Sequence, residues 1–169
     1  MFYSAIMWVG PMDIYILRHA IAEAAEGSSP DAGRSLTSEG KEALRRVLKR
    51  AKAAAVEPGS ILTSPYTRAK ETADLARAAL NPAARFEETK ALLPSSPPGE
   101  ALSLIRRQKV ESLMLVGHEP NLSRLAALLL GAPSLRIAFK KSAIIRIDLD
   151  ASAPGATGEL RWMLTNAIA

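Results

Sequence analysis

The chain has only two histidines, and each follows a short apolar run: His19 comes after Ile14-Tyr15-Ile16-Leu17-Arg18, and His118 after Leu113-Met114-Leu115-Val116-Gly117. An apolar run that breaks off at a polar residue reads as a buried strand delivering a polar tip. A third such run, Ile61-Leu62-Thr63, ends at Ser64-Pro65, with Arg68 one turn into the segment that follows. In open parallel sheets, ligand sites lie beyond the carboxyl ends of the strands, so Arg18, His19, Ser64, Arg68 and His118 can converge despite their separation in sequence. Two arginines and two histidines in one crevice suit a phosphoryl group. Guanidinium forks bind non-bridging oxygens in pairs and stay cationic at any working pH, while a neutral imidazole can act as a nucleophile.

Composition narrows the chemistry further. There is no cysteine, which removes disulfides, thiolate catalysis and cysteine-based zinc or iron-sulfur sites and leaves the redox compartment undetermined. Two histidines are too few for a polyhistidine metal site, which leaves one histidine with carboxylates as the open metal alternative; the expectation is a metal-independent protein that needs no cofactor. The net charge of +5 fits nucleic acid, a membrane surface or a phosphorylated substrate. The densest basic run places Arg45, Arg46, Lys49, Arg50 and Lys52 among Leu44, Val47 and Leu48, the pattern of the wet face of an amphipathic helix. No aromatic residues interleave with these charges to stack bases, so nucleic acid is not expected as a partner, nor is a membrane.

The elements that must position these residues alternate. Residues 12–17 read as the first strand, and a Gly-, Ser- and Pro-containing loop follows to about Arg34. A helix starting near Thr37 or Ser38, with Thr37 as its cap, runs to about Ala55. Residues 61–63 form a second strand, residues 66–80 a helix with Ser64 as its cap, residues 100–108 a third helix, and residues 112–116 the clearest buried strand. Pro120 opens a helix to Leu130, with Asn121 a helix-start residue rather than a ligand contact, and residues 142–149 and 159–164 suggest an antiparallel hairpin at a sheet edge. The expected fold is α/β: three layers, with a mainly parallel central sheet flanked by helices. At 169 residues there is room for one domain, assigned to residues 12–169. Residues 1–11 lack the basic stretch of a secretory signal and are too short to span a bilayer, so they are expected to be a tag remnant, an upstream start or an extension.

Four segments taken in order, Leu17-Arg18-His19-Ala20, Leu36-Thr37-Ser38-Glu39-Gly40, Ser64-Pro65-Tyr66-Thr67-Arg68-Ala69-Lys70-Glu71-Thr72 and Val116-Gly117-His118-Glu119-Pro120, closely resemble the histidine phosphatase superfamily. This group is also called phosphoglycerate mutase-like, and the compact phosphohistidine phosphatase branch is the best match. The resemblance spans residues 12–164. It implies a phosphoglycerate mutase-like fold, His19 as a nucleophile that carries the phosphoryl group, and Arg18, Arg68 and His118 as its surroundings, with Ser64 and Thr72 behind them. It also implies a second ring nitrogen of His19 held by a backbone carbonyl.

Two departures stand out. Ala20 replaces the glycine of the leading motif, and the acidic proton donor usual between the second and third motifs aligns with Ala91. Glu23, Glu100 and Glu119 are the substitutes available in sequence. A missing acid favours a phosphorylated imidazole, which can leave neutral once its distal nitrogen is protonated, over a phosphate ester. The expected partner is therefore a phosphohistidine-bearing protein or a small phosphorylated molecule, with phosphate or sulfate able to occupy the site and a cytoplasmic location. A metabolite or sugar phosphate-ester phosphatase, or a catalytically silent phosphate-binding module, are the competing readings.

Overall fold

The side chains of β1 (Pro11–Arg18) divide the core in two. Met12, Ile14 and Ile16 join one buried cluster, and Tyr15 and Leu17 join the other. A strand covered on both faces reads as a continuous apolar run without alternation, as this one does. The structure, a computed structural model, describes residues 11–25, 31–150 and 157–166. Of the extension expected at residues 1–11, residues 1–10 lie outside the described residues and Pro11 already belongs to β1; residues 151–156, between the last two strands, also lie outside the described residues.

The remaining strands are β2 (Ser60–Thr63), β3 (Arg85–Glu88), β4 (Ser112–Gly117), β5 (Ile144–Asp150) and β6 (Glu159–Leu164). They form one sheet in the order β3-β2-β4-β1-β5-β6. The pairings β3-β2, β2-β4 and β4-β1 are parallel, whereas β5 runs antiparallel to both β1 and β6, giving the expected C-terminal antiparallel pair at the edge.

Helices α1 (Ser38–Ala53) and α2 (Thr67–Leu80) cover one face. Leu44, Val47, Leu48 and Ala51 of α1 recur at helical spacing and pack with Ala69, Ala73 and Ala76 of α2 on Tyr15, Leu17, Ile61, Met114 and Val116. Arg45, Arg46, Lys49, Arg50 and Lys52 lie on the exposed face of α1, as the sequence suggested. Helices α3 (Pro98–Ile105) and α4 (Asn121–Leu129) cover the other face through Ile105, Leu122, Leu125 and Leu129.

Thr37 caps α1 by accepting the Gly40 N–H at 2.9 Å. A Cβ on Gly40 would stand 2.2 Å from the Ile21 carbonyl oxygen, so glycine is what lets the first turn of α1 approach the chain just after His19.

Three expectations need correction. β3 was not anticipated: the Arg-Phe-Glu-Glu run has only Phe86 half-buried, and such an exposed edge strand carries no apolar signature. The third helix begins at Pro98 and ends at Ile105 rather than spanning 100–108, because proline is tolerated in a first turn. Ser64 does not cap α2. The N-cap position is Tyr66, which makes no side-chain cap bond, and the Ser64 hydroxyl instead accepts the Tyr66 N–H at 3.4 Å.

Candidate active site

Sheet register brings the strand tips together. Arg18 of β1 pairs with Gly117 of β4, and Thr63 of β2 pairs with Val116. The ladder continues one step further: His19 N–H donates to the Gly117 carbonyl at 3.0 Å and Ser64 N–H to the Val116 carbonyl at 2.9 Å. His19, Ser64 and His118 therefore emerge beyond three neighbouring strand ends, where the β-sheet order reverses. The two imidazole rings lie 4.9 Å apart between centroids.

Helix α2 brings in the arginine. The Thr72 hydroxyl accepts the Ala20 N–H at 3.1 Å and donates to the Arg68 carbonyl at 2.6 Å, tying the helix to the residue after His19. One residue earlier, Glu71 Oε2 accepts the Leu36 N–H at 2.8 Å. Arg68 is thereby buried, its guanidinium stacked over Tyr66 at 4.9 Å, and its Nε donates to His19 Nε2 at 3.4 Å.

On the other side, Leu122 N–H donates to the His118 carbonyl at 3.0 Å, and Asn121 Nδ2 donates to the Ala91 and Leu93 carbonyls at 2.9 and 2.8 Å. A Cβ at Gly117 would lie 2.9 Å from the Leu92 carbonyl oxygen, so a glycine before His118 permits this close approach. The segment before β5 completes the frame. Phe139 accepts from Arg18 Nη1 at 2.6 Å, and Ser142, in the left-handed region at φ 62, donates its N–H to the His19 carbonyl at 3.3 Å.

Both histidines are neutral. His19 Nδ1 lies 2.7 Å from the Ala20 carbonyl oxygen, which can only accept, so Nδ1 carries the proton and Nε2 presents its lone pair. Burial pushes His19 down to about 4, against the pull of the Ala20 carbonyl, with the Arg68, Arg18 and Lys141 charges adding to the drop. Burial likewise pushes His118 down to about 3, helped by His19 and Arg68. Burial also lowers Arg18, a shift that the Glu119 charge opposes. His118 Nε2 lies 2.8 Å from the Ser64 hydroxyl. His118 Nδ1 and Arg18 Nε are buried without a hydrogen-bond partner among the described residues. Unpaired buried polar atoms are rare, and two of them beside a neutral, oriented imidazole suit a ligand rich in acceptor oxygens.

The carboxylates named from sequence are placed differently from one another. Glu119 accepts the Ser123 N–H at 3.0 Å and also the Ser123 hydroxyl, and so serves the start of α4. Glu23 and Glu100 are exposed. Ala91 sits in the 3-10 turn Lys90–Leu92, its carbonyl held by Asn121. Asn121 starts α4, as expected, and its side chain also anchors this turn, which the sequence gave no sign of. Reading the sequence missed Phe139 and Ser142, because a backbone carbonyl and a left-handed turn leave no mark in side-chain chemistry. It also missed Asp31, whose carboxylate pairs with Arg68 at 2.9 Å from within a loop read only as polar.

Among the described residues, no helix is long and apolar enough to cross a membrane. The family model for the histidine phosphatase superfamily (branch 1) matches residues 14–92. An uncharacterized protein of Picosynechococcus is 33% identical over 139 residues, covering 79% of this chain and 83% of its own. The phosphohistidine phosphatase SixA of Escherichia coli is 28% identical over 157 residues, covering 91% of this chain and 94% of its own. A solved structure of the protein histidine phosphatase SixA complexed with tungstate superposes with a TM-score of 0.80 at 29% identity, covering 92% of this chain and 98% of that one. Motifs, sheet order and relatives agree: the chain belongs to the histidine phosphatase superfamily, in its SixA-type branch, and is a phosphatase.

Proposed function

We propose that the protein is a metal-independent phosphohistidine phosphatase acting through a phosphoryl-enzyme intermediate on His19. The observation that carries this reading is the state of His19: neutral, with Nδ1–H held by the Ala20 carbonyl and the Nε2 lone pair turned toward Arg68. An imidazole must be neutral to attack phosphorus, and its far nitrogen must be fixed for the lone pair to be aimed.

In this mechanism Nε2 takes the phosphoryl group, and Arg18, Arg68 and His118 surround its equatorial oxygens, where negative charge spreads in the transition state. His118 Nε2 lies 2.8 Å from the Ser64 hydroxyl; in this mechanism the hydroxyl donates that bond, so the ring proton sits on the unpartnered Nδ1 and is donated to a phosphoryl oxygen. Water then attacks phosphorus. Because His19 keeps its Nδ1 proton throughout, it departs as neutral imidazole and needs no acid in this second step. The first step makes the same demand of its leaving group. A phosphoimidazole protonated on its distal nitrogen meets the demand unaided, whereas an alkoxide does not, and Glu119, the carboxylate whose charge reaches Arg18, is bonded to Ser123. The solved relative holding tungstate, a tetrahedral oxyanion, supports a site of phosphoryl size.

Rates on a phosphohistidine-bearing protein and on phosphate monoesters, measured with chelator present, test the reading. Turnover of phosphohistidine with esters at least a hundredfold slower is expected. Faster esters point to a metabolite phosphatase, and phosphate binding without turnover of either points to a silent binding module.

A further inference from the structure

Arg68 grips more than the histidine. Its Nε faces His19 Nε2 at 3.4 Å, while the other two guanidinium nitrogens are both taken by Asp31: Nη1 donates to the Asp31 carbonyl at 2.7 Å and Nη2 to the Asp31 carboxylate at 2.9 Å. Three of the five guanidinium N–H groups are thus engaged, and the Nη1/Nη2 pair is held by two oxygens of the chain itself. The two partners differ in freedom. The Arg68 side chain is 5% exposed and that of Asp31 52%, so the carboxylate can move into water while the guanidinium stays. Asp31 also has a second cation close by, since Arg34, just after the turn Asp31–Gly33, bonds its other carboxylate oxygen.

Burial alone would raise Asp31, but the hydrogen bonds from Arg68 and Arg34 outweigh it and hold the carboxyl below its ordinary range. It is an anion at neutral pH with no proton to give, so in this arrangement it does not supply the missing acid.

We propose that Asp31 is an internal anion that competes with the phosphoryl group for Arg68, and so sets how tightly phosphorylated substrate and product phosphate bind. The inference rests on the placing of Arg68 in the phosphoryl clamp. On binding, Arg68 trades a carboxylate of one charge for a phosphoryl group of two, and on product release Asp31 returns. The exchange makes and breaks only hydrogen bonds. It favours dianionic phosphoryl groups, which gain more from the guanidinium than a carboxylate does, and disfavours singly charged oxyanions.

Calorimetric titration with inorganic phosphate tests it. Removal of the competing charge in Asp31→Asn and Asp31→Ala is expected to tighten phosphate binding about fivefold to tenfold, the span of a partly exposed ion pair plus relief of like-charge repulsion. Asp31→Glu, which keeps the charge, is expected to restore affinity close to wild type. A purely structural role for Asp31 would give no gain. In an Arg68→Ala background, the Asp31→Asn change is expected to bring at most about a twofold tightening, because the contested partner is gone and only the relief of like-charge repulsion remains. Unchanged or weaker phosphate binding in Asp31→Asn and Asp31→Ala, with thermal midpoints near wild type, overturns the proposal. Undiminished phosphate binding in Arg68→Ala alone would instead strike at the clamp assignment, so the two failures are separable.

Discussion

His19 is oriented by a bond that no side chain makes. The Ala20 carbonyl holds Nδ1 at 2.7 Å, so the reactive tautomer is written into the backbone just after the strand tip. The partner of His118, by contrast, is the Ser64 hydroxyl at 2.8 Å, and this can be deleted without touching the fold. Ser64→Ala is expected to lower kcat about tenfold to thirtyfold, the value of one or two hydrogen bonds, while shifting the thermal midpoint by only a few degrees. A kcat within twofold of wild type would show that His118 needs no such partner. At this scale the sequence was informative for charged and titratable side chains: Arg18, His19, Arg68 and His118 lie close together beyond the strand ends. The resemblance also implied a backbone carbonyl on the second ring nitrogen of His19, which Ala20 supplies, but the sequence was silent at Phe139 and Ser142, and at Asp31, whose contact with Arg68 exists because the turn Asp31–Gly33 lies against the start of α2.

The elements were legible in proportion to how much apolar surface they bury. β1, β2 and β4 are covered on both faces and announced themselves as apolar runs, and α1 did so through its helical spacing. β3 buries little, and the turn Lys90–Leu92, though Ala91 and Leu92 are buried, is too short to show a period; their assignment depends on parallel pairing with β2 and on Asn121, neither of which local sequence reveals. That dependence makes Asn121 a test of how α4 fixes the site. Asn121→Ala leaves the Ala91 and Leu93 carbonyls without their shared donor and is expected to cost about 2 kcal/mol of stability in urea unfolding. Gly40→Ala tests the opposite face. Its Cβ would collide with the Ile21 backbone oxygen, and a loss of about 3 kcal/mol or more is expected, because both contacting groups are main chain and cannot swing aside. A Gly40→Ala protein as stable as wild type would mean that α1 does not pack against the segment after His19 as described.

For the whole molecule, burying two neutral histidines couples stability to pH. Both lie below the ordinary histidine value in the folded state, near 4 and 3, so between about pH 6.5 and those values the unfolded chain binds protons that the folded chain refuses. Stability is therefore full above the ordinary value and falls as pH drops, with a slope of up to about 1.4 kcal/mol per pH unit for each histidine. Urea midpoints at pH 7, 6 and 5 check this, and a flat profile would contradict it. The same charge states predict activity without a histidine limb near pH 6.5, since neither ring takes a proton until well below it.

The proposed mechanism stands on His19 Nε2 as the atom that accepts the phosphoryl group, and covalent trapping tests that most directly. The protein is mixed with a protein substrate labelled at the phosphoryl group of its phosphohistidine, quenched in alkali within milliseconds, and mapped by peptide. Label on the peptide containing His19, absent from His19→Ala along with turnover, is the predicted result. Label on the His118 peptide, or steady turnover by His19→Ala, would contradict it.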